Sequence, residues 1–229
     1  MPNDPVRVLE ILTVRYAHNG ITRCVMNYAG QFDPARIRCD LVAPNEPPEE
    51  AIEAIERGGG QVFVLPKRNR DPFGYMRLLK DIVRARAEEV VHAHGNSATL
   101  YAEMRAAKRG GAGVRIAHSH NTTCRMKLAD RLLRGPFQNS YTHAMACGEA
   151  AGRWLFGAAP FSVLNNAVAT ERFRFNAAAR AEARARFGLD GEAFVLCHIG
   201  AFNEQKNQAF LLEAFQSLLS LRPEAMLLL

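Results

Sequence analysis

Two pairs of histidines, each at the end of a short apolar run, constrain most strongly the fold that this chain can adopt. Residues 90–121 read VVHAHGNSATLYAEMRAAKRGGAGVRIAHSHN, with His92 and His94 closing the first run and His118 and His120 closing the second. A helical segment and a glycine-rich break separate the runs, which is the pattern of two parallel strands joined by a helix. Both strands then end at one edge of the sheet, where open α/β sheets bind ligands. We expect the four histidines at that edge, with the two members of each pair on different sides of the sheet.

The rest of the chain alternates apolar runs with amphipathic segments, which is typical of a parallel sheet with helices on both faces. We predict further strands at 6–12, 39–43, 61–65, 143–147 and 161–164, and helices at 23–31, 49–57, 72–87, 98–108, 124–133 and 149–156. Residues 1–169 therefore form one α/β domain. An arginine- and alanine-rich linker follows at 170–192, and residues 193–229 supply one strand–helix unit and the start of another strand. One such unit does not bury a core, so we expect the sequence to stop inside a second domain.

The composition of the chain indicates which partners and which cellular compartment to expect. The net charge of +6 favours anionic partners, although a surplus of this size also serves solubility alone. No apolar run approaches the length of a membrane-spanning helix, and the first residues lack the pattern of a signal peptide. The five cysteines are scattered without a CxxC pair, which indicates reduced thiols in the cytoplasm.

The histidines allow three interpretations. A histidine at the carboxyl end of a strand acts as an acid or base, binds a metal, or hydrogen-bonds a ligand hydroxyl or phosphate. We interpret His92 as a packed residue of the sheet face and His118 as functional. Histidines on neighbouring strands also supply zinc ligands, but no aspartate or glutamate stands beside either pair in the sequence. The expectation is therefore that the site binds no metal.

A second candidate site follows the apolar run at 193–199. Gly200 comes directly after this run, and Lys206 precedes a helix predicted at 208–221. Glycine lets a backbone approach a ligand closely, and the start of a helix offers free N–H groups to an anion. The pattern predicts a diphosphate site, with a solvated surface lysine as the alternative.

The spacing of apolar and basic residues over 123–135 predicts an amphipathic helix. Met126, Ala129, Leu132 and Leu133 form an apolar stripe that we expect to pack on the sheet, with basic residues around the remainder. Contact with anionic lipid is the alternative. No interleaving of aromatic and basic residues indicates a nucleic-acid partner.

Several segments, in their order, resemble a known family. These are HNGIT at 18–22, VVHAHG at 90–95, RIAHSHNT at 115–122, ACGEAAGRWLFG at 146–157, VLNNAV at 163–168 and HIGAFNEQKNQAFLLEAF at 198–215. Together they are similar to family 4 glycosyltransferases of the bacterial capsular and exopolysaccharide type. The resemblance extends from Val6 to Leu229.

The resemblance implies a GT-B architecture, in which two Rossmann-like domains face each other across a cleft. It also implies retaining transfer of a sugar from a nucleotide-sugar donor to a hydroxyl of a glycan or lipid-linked acceptor, without metal or cofactor. The expected setting is cytoplasmic, with peripheral contact at an anionic inner membrane. Residues 67–70 and the helix at Arg125 are our candidates for that contact.

The same resemblance assigns roles to individual residues. It places His118 at the reaction centre and Gly20 on the acceptor side, where we also place His94. It assigns donor binding to Asn166, Gly200 and Lys206, with Lys206 stabilising charge on the leaving diphosphate.

Two departures from the family pattern bear on activity. Ala201 stands where the family commonly has arginine, so one of two cations on the diphosphate is missing. The family's later acidic motif lies beyond Leu229, and we expect these 229 residues alone to be inactive. Two alternatives stay open: a non-catalytic module that binds nucleotide sugars, and a metal-dependent hydrolase that uses the histidines.

Overall fold

The structure, a computed structural model, describes residues 4–229 and divides after Ala169 into two compact units. The first unit is a seven-stranded, fully parallel sheet with helices on both faces. Its strands are β1 (Val6–Leu12), β2 (Ile37–Ala43), β3 (Val62–Val64), β4 (Val90–Gly95), β5 (Val114–Ser119), β6 (His143–Ala146) and β7 (Ser162–Val163). Every strand expected from the sequence of this unit is present, and the α/β class is confirmed.

The strand order is β3-β2-β1-β4-β5-β6-β7, so the direction of winding reverses between β1 and β4. Such a switch point opens a crevice at the carboxyl ends of the two strands, and ligands bind there in doubly wound sheets. The histidine-bearing strand β4 borders this point, and β5, which carries His118, is the next strand.

Six α-helices connect the strands of the first unit. They are α1 (Gly20–Ala29), α2 (Glu49–Arg57), α3 (Pro72–Ala85), α4 (Tyr101–Gly110), α5 (Lys127–Gln138) and α6 (Glu149–Phe156). One apolar cluster joins alternate residues of the central strands, such as Leu9 and Val91, to Leu79 of α3 and Met104 of α4. A smaller apolar cluster contains Leu12 of β1 and Val25 of α1. The sheet is thus covered on both sides, as parallel sheets are.

The second unit, residues 170–229, contains α7 (Ala177–Arg186), β8 (Val195–Cys197), α8 (Gln208–Leu219) and β9 (Met226–Leu228). Strands β8 and β9 pair in parallel. Helix α7 falls in the segment interpreted as a linker, and its Arg184 side chain donates to the carbonyl oxygens of Asp190 and Ala193.

Several helix boundaries differ from the sequence prediction, and two of these differences have a cause in the side-chain contacts. Helix α1 begins at Gly20, not at residue 23, because the Asn19 side chain accepts a hydrogen bond from the Thr22 N–H at 3.0 Å and caps the first turn. Helix α5 was expected to end before Pro136 but continues to Gln138. Phe137 explains the extension, since its ring is almost fully buried and lies 6.1 Å from that of Phe156.

The predicted packing face of α5 is correct only in part, because Leu133 of the expected stripe packs against the larger apolar cluster but other members do not. Leu132 of the expected stripe is 69% exposed and Met126 is 49% exposed. The buried residues of the helix are instead Asp130 and Phe137. Asp130 is buried because its carboxylate accepts from the Ala98 N–H at 2.8 Å and from the Arg134 guanidinium. Two polar interactions therefore fix the helix in an orientation that an apolar stripe does not predict.

Candidate functional site

The parallel register of β1, β4 and β5 gathers one carboxylate and three imidazoles on one face of the sheet. Glu10 lies opposite His92, and His94 lies opposite His118. The His92 and His94 ring centroids are 4.1 Å apart. The expectation that each pair divides between the two faces is wrong, because residues two apart in a strand point to the same side.

Four hydrogen bonds join Glu10 and the histidines into one chain, which we call the Glu10 network (Glu10, His92, His94, His118, His120). One carboxylate oxygen lies 3.1 Å from His92 Nδ1, and the other lies 2.6 Å from His94 Nε2. From there, His92 Nε2 lies 3.0 Å from His118 Nδ1, and His94 Nδ1 lies 2.8 Å from His120 Nε2. Glu10 is therefore the centre of two arms, one ending at His118 and the other at His120.

The Glu10 network is buried. His118 is fully buried, and His94 and Glu10 are 2% and 5% exposed. Burial raises the pKa of the Glu10 carboxyl, but the neighbouring His92 and His94 lower it more, so the net pKa lies well below the ordinary value. Glu10 is thus a carboxylate at neutral pH, held by two imidazole N–H donors.

Three imidazoles of the network, those of His94, His118 and His120, resist protonation. Burial, reinforced by the neighbouring His92, lowers the pKa of His94 to about 4. Burial and the nearby His94 lower the pKa of His120 to about 3, and burial together with His120 lowers the pKa of His118 strongly. These three rings are therefore neutral at pH 7, and each carries one N–H and one lone pair.

Glu10 is the site residue that sequence reasoning missed. The expectation of a histidine site without a nearby carboxylate is wrong, because Glu10 is 82 positions from His92 in the chain yet touches its ring. The signal in the sequence was a charged residue inside the otherwise apolar run of β1. A charge inside a strand that is covered on both faces needs a partner.

The same rings are close enough to share a metal ion. Nitrogens of His92, His94 and His118 all lie within 4.8 Å of one another. The 3.0 Å separation between His92 Nε2 and His118 Nδ1 fits a hydrogen bond, and it also fits two ligands of one small cation. The two arrangements are mutually exclusive at these atoms, so experiment can distinguish them.

Other residues assigned from the sequence lie elsewhere in the first unit. Gly20 is the first residue of α1, and Asn166 is exposed in the segment after β7. Two α1 side chains hold that segment: Tyr28 donates to the Asn165 carbonyl and Asn27 to the Ala167 carbonyl, both at 2.7 Å. Helix α1 thereby fixes the backbone on either side of Asn166.

Gly200 and Lys206 lie together in the second unit. A Cβ atom on Gly200 would lie 3.4 Å from Lys206 Cγ, so the lysine stem packs against the glycine. Lys206 is exposed and ends a short 3-10 turn that the Asn203 side chain caps. Helix α8 begins two residues later, at Gln208.

A cavity of about 220 Å³ opens at the carboxyl ends of β1, β2 and β3. Arg15, Lys67 and Arg68 line it together with the buried Glu103. Arg68 donates to Glu103 at 2.6 Å, so this arginine of the basic loop points into the protein and not toward solvent. Thr13, also in the lining, donates its hydroxyl to the His94 carbonyl and connects the cavity to the Glu10 network.

Comparison with known proteins identifies the family. Residues 18–172 match the model of Glycosyltransferase Family 4, and the chain belongs to that family. The Bacillus subtilis (strain 168) protein named "Putative glycosyltransferase EpsF" is 30% identical over 226 residues, which cover 93% of this chain. The chain spans 58% of the length of that relative.

Solved structures share the fold. A glycosyltransferase from Rickettsia africae ESF-5 superimposes with a TM-score of 0.71 at 11% identity, over 93% of this chain and 57% of that one. An S. aureus MnaA structure with UDP gives a TM-score of 0.55 at 12% identity, over 97% of this chain and 60% of that one. Among residues 4–229, no helix has the length and apolar character needed to cross a membrane.

Proposed function

We propose that this chain belongs to an enzyme that transfers a sugar from a nucleotide-sugar donor to a hydroxyl acceptor in cell-surface polysaccharide synthesis. The observation that carries the proposal is the buried Glu10 network, which ends at His118 beside the switch point of a family 4 sheet. A neutral histidine in this place accepts a hydrogen bond from a substrate hydroxyl. Transfer with retention and without a metal is part of the proposal.

The donor side of the proposal rests on the second unit. Lys206 is exposed, and its side-chain stem packs against Gly200. The ammonium would stabilise negative charge as the nucleoside diphosphate leaves. Asn166 would contribute from the segment that α1 holds.

The acceptor side rests on the cavity beside β1 to β3. Its cations and the Glu103 carboxylate suit a polar glycan or the phosphate of a lipid-linked one. Gly20 and His94 are assigned to this side as well. The acceptor hydroxyl would displace the nucleoside diphosphate from the sugar carbon.

A transfer assay on the full-length gene product tests this proposal. We expect release of nucleoside diphosphate from at least one nucleotide sugar in the presence of a glycan or lipid-linked acceptor, unchanged by a metal chelator. Proton NMR of the product should show the anomeric configuration of the donor.

Ala201 favours a second candidate, a module that binds the donor without turnover. Binding without product would establish that candidate, and activity that requires zinc would favour a hydrolase.

Peripheral membrane contact forms a separate part of the proposal. Helix α5 exposes the apolar side chains Leu128 and Leu132, at 72% and 69%. Exposed basic residues Arg125, Lys127 and Arg131 surround them. An exposed apolar strip among cations is the pattern of a helix that lies on an anionic bilayer. Since Arg68 is engaged with Glu103, α5 is a better candidate than the loop at 67–70.

We expect the protein to sediment with vesicles containing anionic lipid and to remain in solution with neutral vesicles. Reversing the charge of Lys127 and Arg131 together should weaken vesicle binding by at least about tenfold, at about 1 kcal/mol for each basic residue near the surface. Arg36→Glu, an exposed substitution outside α5, is the control and should leave binding unchanged. Equal sedimentation with both vesicle types would remove the membrane proposal.

A further inference from the structure

The hydrogen bonds of the Glu10 network leave few choices for its protons. An ionised carboxylate only accepts, so His92 must donate through Nδ1–H and His94 through Nε2–H. In a neutral ring the other nitrogen then carries a lone pair. With all four rings neutral, His92 Nε2 accepts from His118 Nδ1–H, and His94 Nδ1 accepts from His120 Nε2–H.

The ends of the two arms follow from the same counting. His118 Nε2 and His120 Nδ1 are left with lone pairs, and among residues 4–229 neither atom has a hydrogen-bond partner, although both are buried. The centroids of these two rings lie 4.1 Å apart. Two buried acceptors therefore terminate the network side by side, and each gains a hydrogen bond only from a donor.

We propose that Glu10 is a positioning residue that fixes the tautomers of four histidines and so makes His118 Nε2 and His120 Nδ1 a paired subsite for substrate hydroxyl groups. The subsite selects hydrogen-bond donors and disfavours phosphate or carboxylate, because lone pairs repel anions and Glu10 adds a negative charge behind the rings. The proposal takes all four rings as neutral, and the tautomer assignment then follows from the hydrogen bonds alone. The identity of the ligand as a sugar hydroxyl rests on the proposed function.

The two arms predict an unusual tautomer pattern. His92 and His118 carry their protons on Nδ1, whereas His94 and His120 carry theirs on Nε2. Neutral histidines that serve only as packing residues are not expected to show this pattern of two Nδ1–H and two Nε2–H tautomers. A metal ion bound to His92 Nε2 and His118 Nδ1 would remove the proton from His118 Nδ1 and with it the pattern.

Glu10→Gln changes the pattern in a defined way. The amide oxygen still accepts from one arm, but the amide nitrogen donates to the other. The first ring of that second arm must become an acceptor at the atom facing Gln, so both of its rings reverse tautomer and its terminal nitrogen becomes an N–H. The shape of the side chain is preserved, so packing is expected to persist.

Long-range proton–nitrogen NMR of the imidazoles in the ¹⁵N-labelled 229-residue chain tests the proposal, with zinc content measured on the same sample. We expect the divided pattern in the wild type and its reversal in one arm of Glu10→Gln, with His143, exposed on β6, unchanged. A wild-type spectrum with the proton of His118 on Nε2, or stoichiometric zinc, would overturn the proposal even if the variant does not fold. The spectrum is recorded without substrate, so an absence of sugar transfer in the separate assay would leave the tautomer result intact.

Discussion

Replacing His118 with asparagine should lower sugar transfer by the full-length gene product by a factor of about 5 to 150, because a substrate hydroxyl left without its hydrogen bond costs about 1–3 kcal/mol. The asparagine amide nitrogen takes the place of His118 Nδ1, so the hydrogen bond to His92 can persist while Nε2 is removed. The substitution therefore separates the chemistry of the terminal nitrogen from the stability of the network.

The measurement is kcat/KM for the best donor, with His143→Asn as the matched control. His143 is exposed at the start of β6 and takes no part in the Glu10 network, so its loss should leave the rate unchanged. Unfolding of both variants is followed in parallel. A fully folded His118→Asn protein with wild-type kcat/KM would show that His118 does not act at the reaction centre.

Acid should unfold the first unit at a pH between 4.5 and 6.5. In the unfolded chain, His94, His118 and His120 bind protons below their ordinary pKa of 6.5, whereas the folded unit keeps them neutral until far lower pH. Stability conferred by a lowered pKa is present above 6.5 and is lost as the pH falls. Below 4.5, the lowered pKa of Glu10 acts in the same direction.

One buried acid opposes this trend. Burial and the neighbouring Asp40 raise the pKa of Glu88 to about 8, so the folded state takes up this proton before the unfolded state does. Between pH 6.5 and 4.5 the unfolded chain therefore binds three more protons at the imidazoles and one fewer at Glu88. The net excess of two protons costs about 3 kcal/mol per pH unit, a large part of the stability of a typical domain.

Fluorescence of Trp154 is the measurement, because this residue is the single tryptophan of the chain and belongs to the first unit. His120→Gln should reduce the slope of unfolding free energy against pH by about 1.4 kcal/mol per pH unit, the contribution of one proton. A free energy of unfolding that does not vary over this pH range would contradict the assigned pKa shifts.

Local sequence patterns predicted the strands and helices of the first unit well, because the pattern of apolar and polar residues is what determines these elements. Apolar runs of strand length, separated by amphipathic segments, leave few arrangements other than a covered parallel sheet. The helix at 49–57 and the strand at 6–12 were predicted with their observed bounds. The ends of the helix are set by its neighbours Pro48 and Gly58, which act locally.

Local sequence patterns did not predict the features that depend on contacts between residues far apart in the chain. Glu10 reaches the histidines only because β1 lies beside β4 in the sheet, and no local pattern reports that register. Helix α5 is turned by the contact of Asp130 with the Ala98 N–H, 32 positions earlier in the chain. An aspartate between Ala129 and Arg131 looks like a surface residue until its partner is known.

A crystal structure of the full-length gene product with a non-hydrolysable nucleotide sugar tests the central claim most directly. We expect a sugar hydroxyl to donate to His118 Nε2 at about 2.7–3.2 Å, with the hydrogen bonds from Glu10 through His92 unchanged. A sugar bound without contact to His118, or a metal ion on His92 and His118, would contradict it.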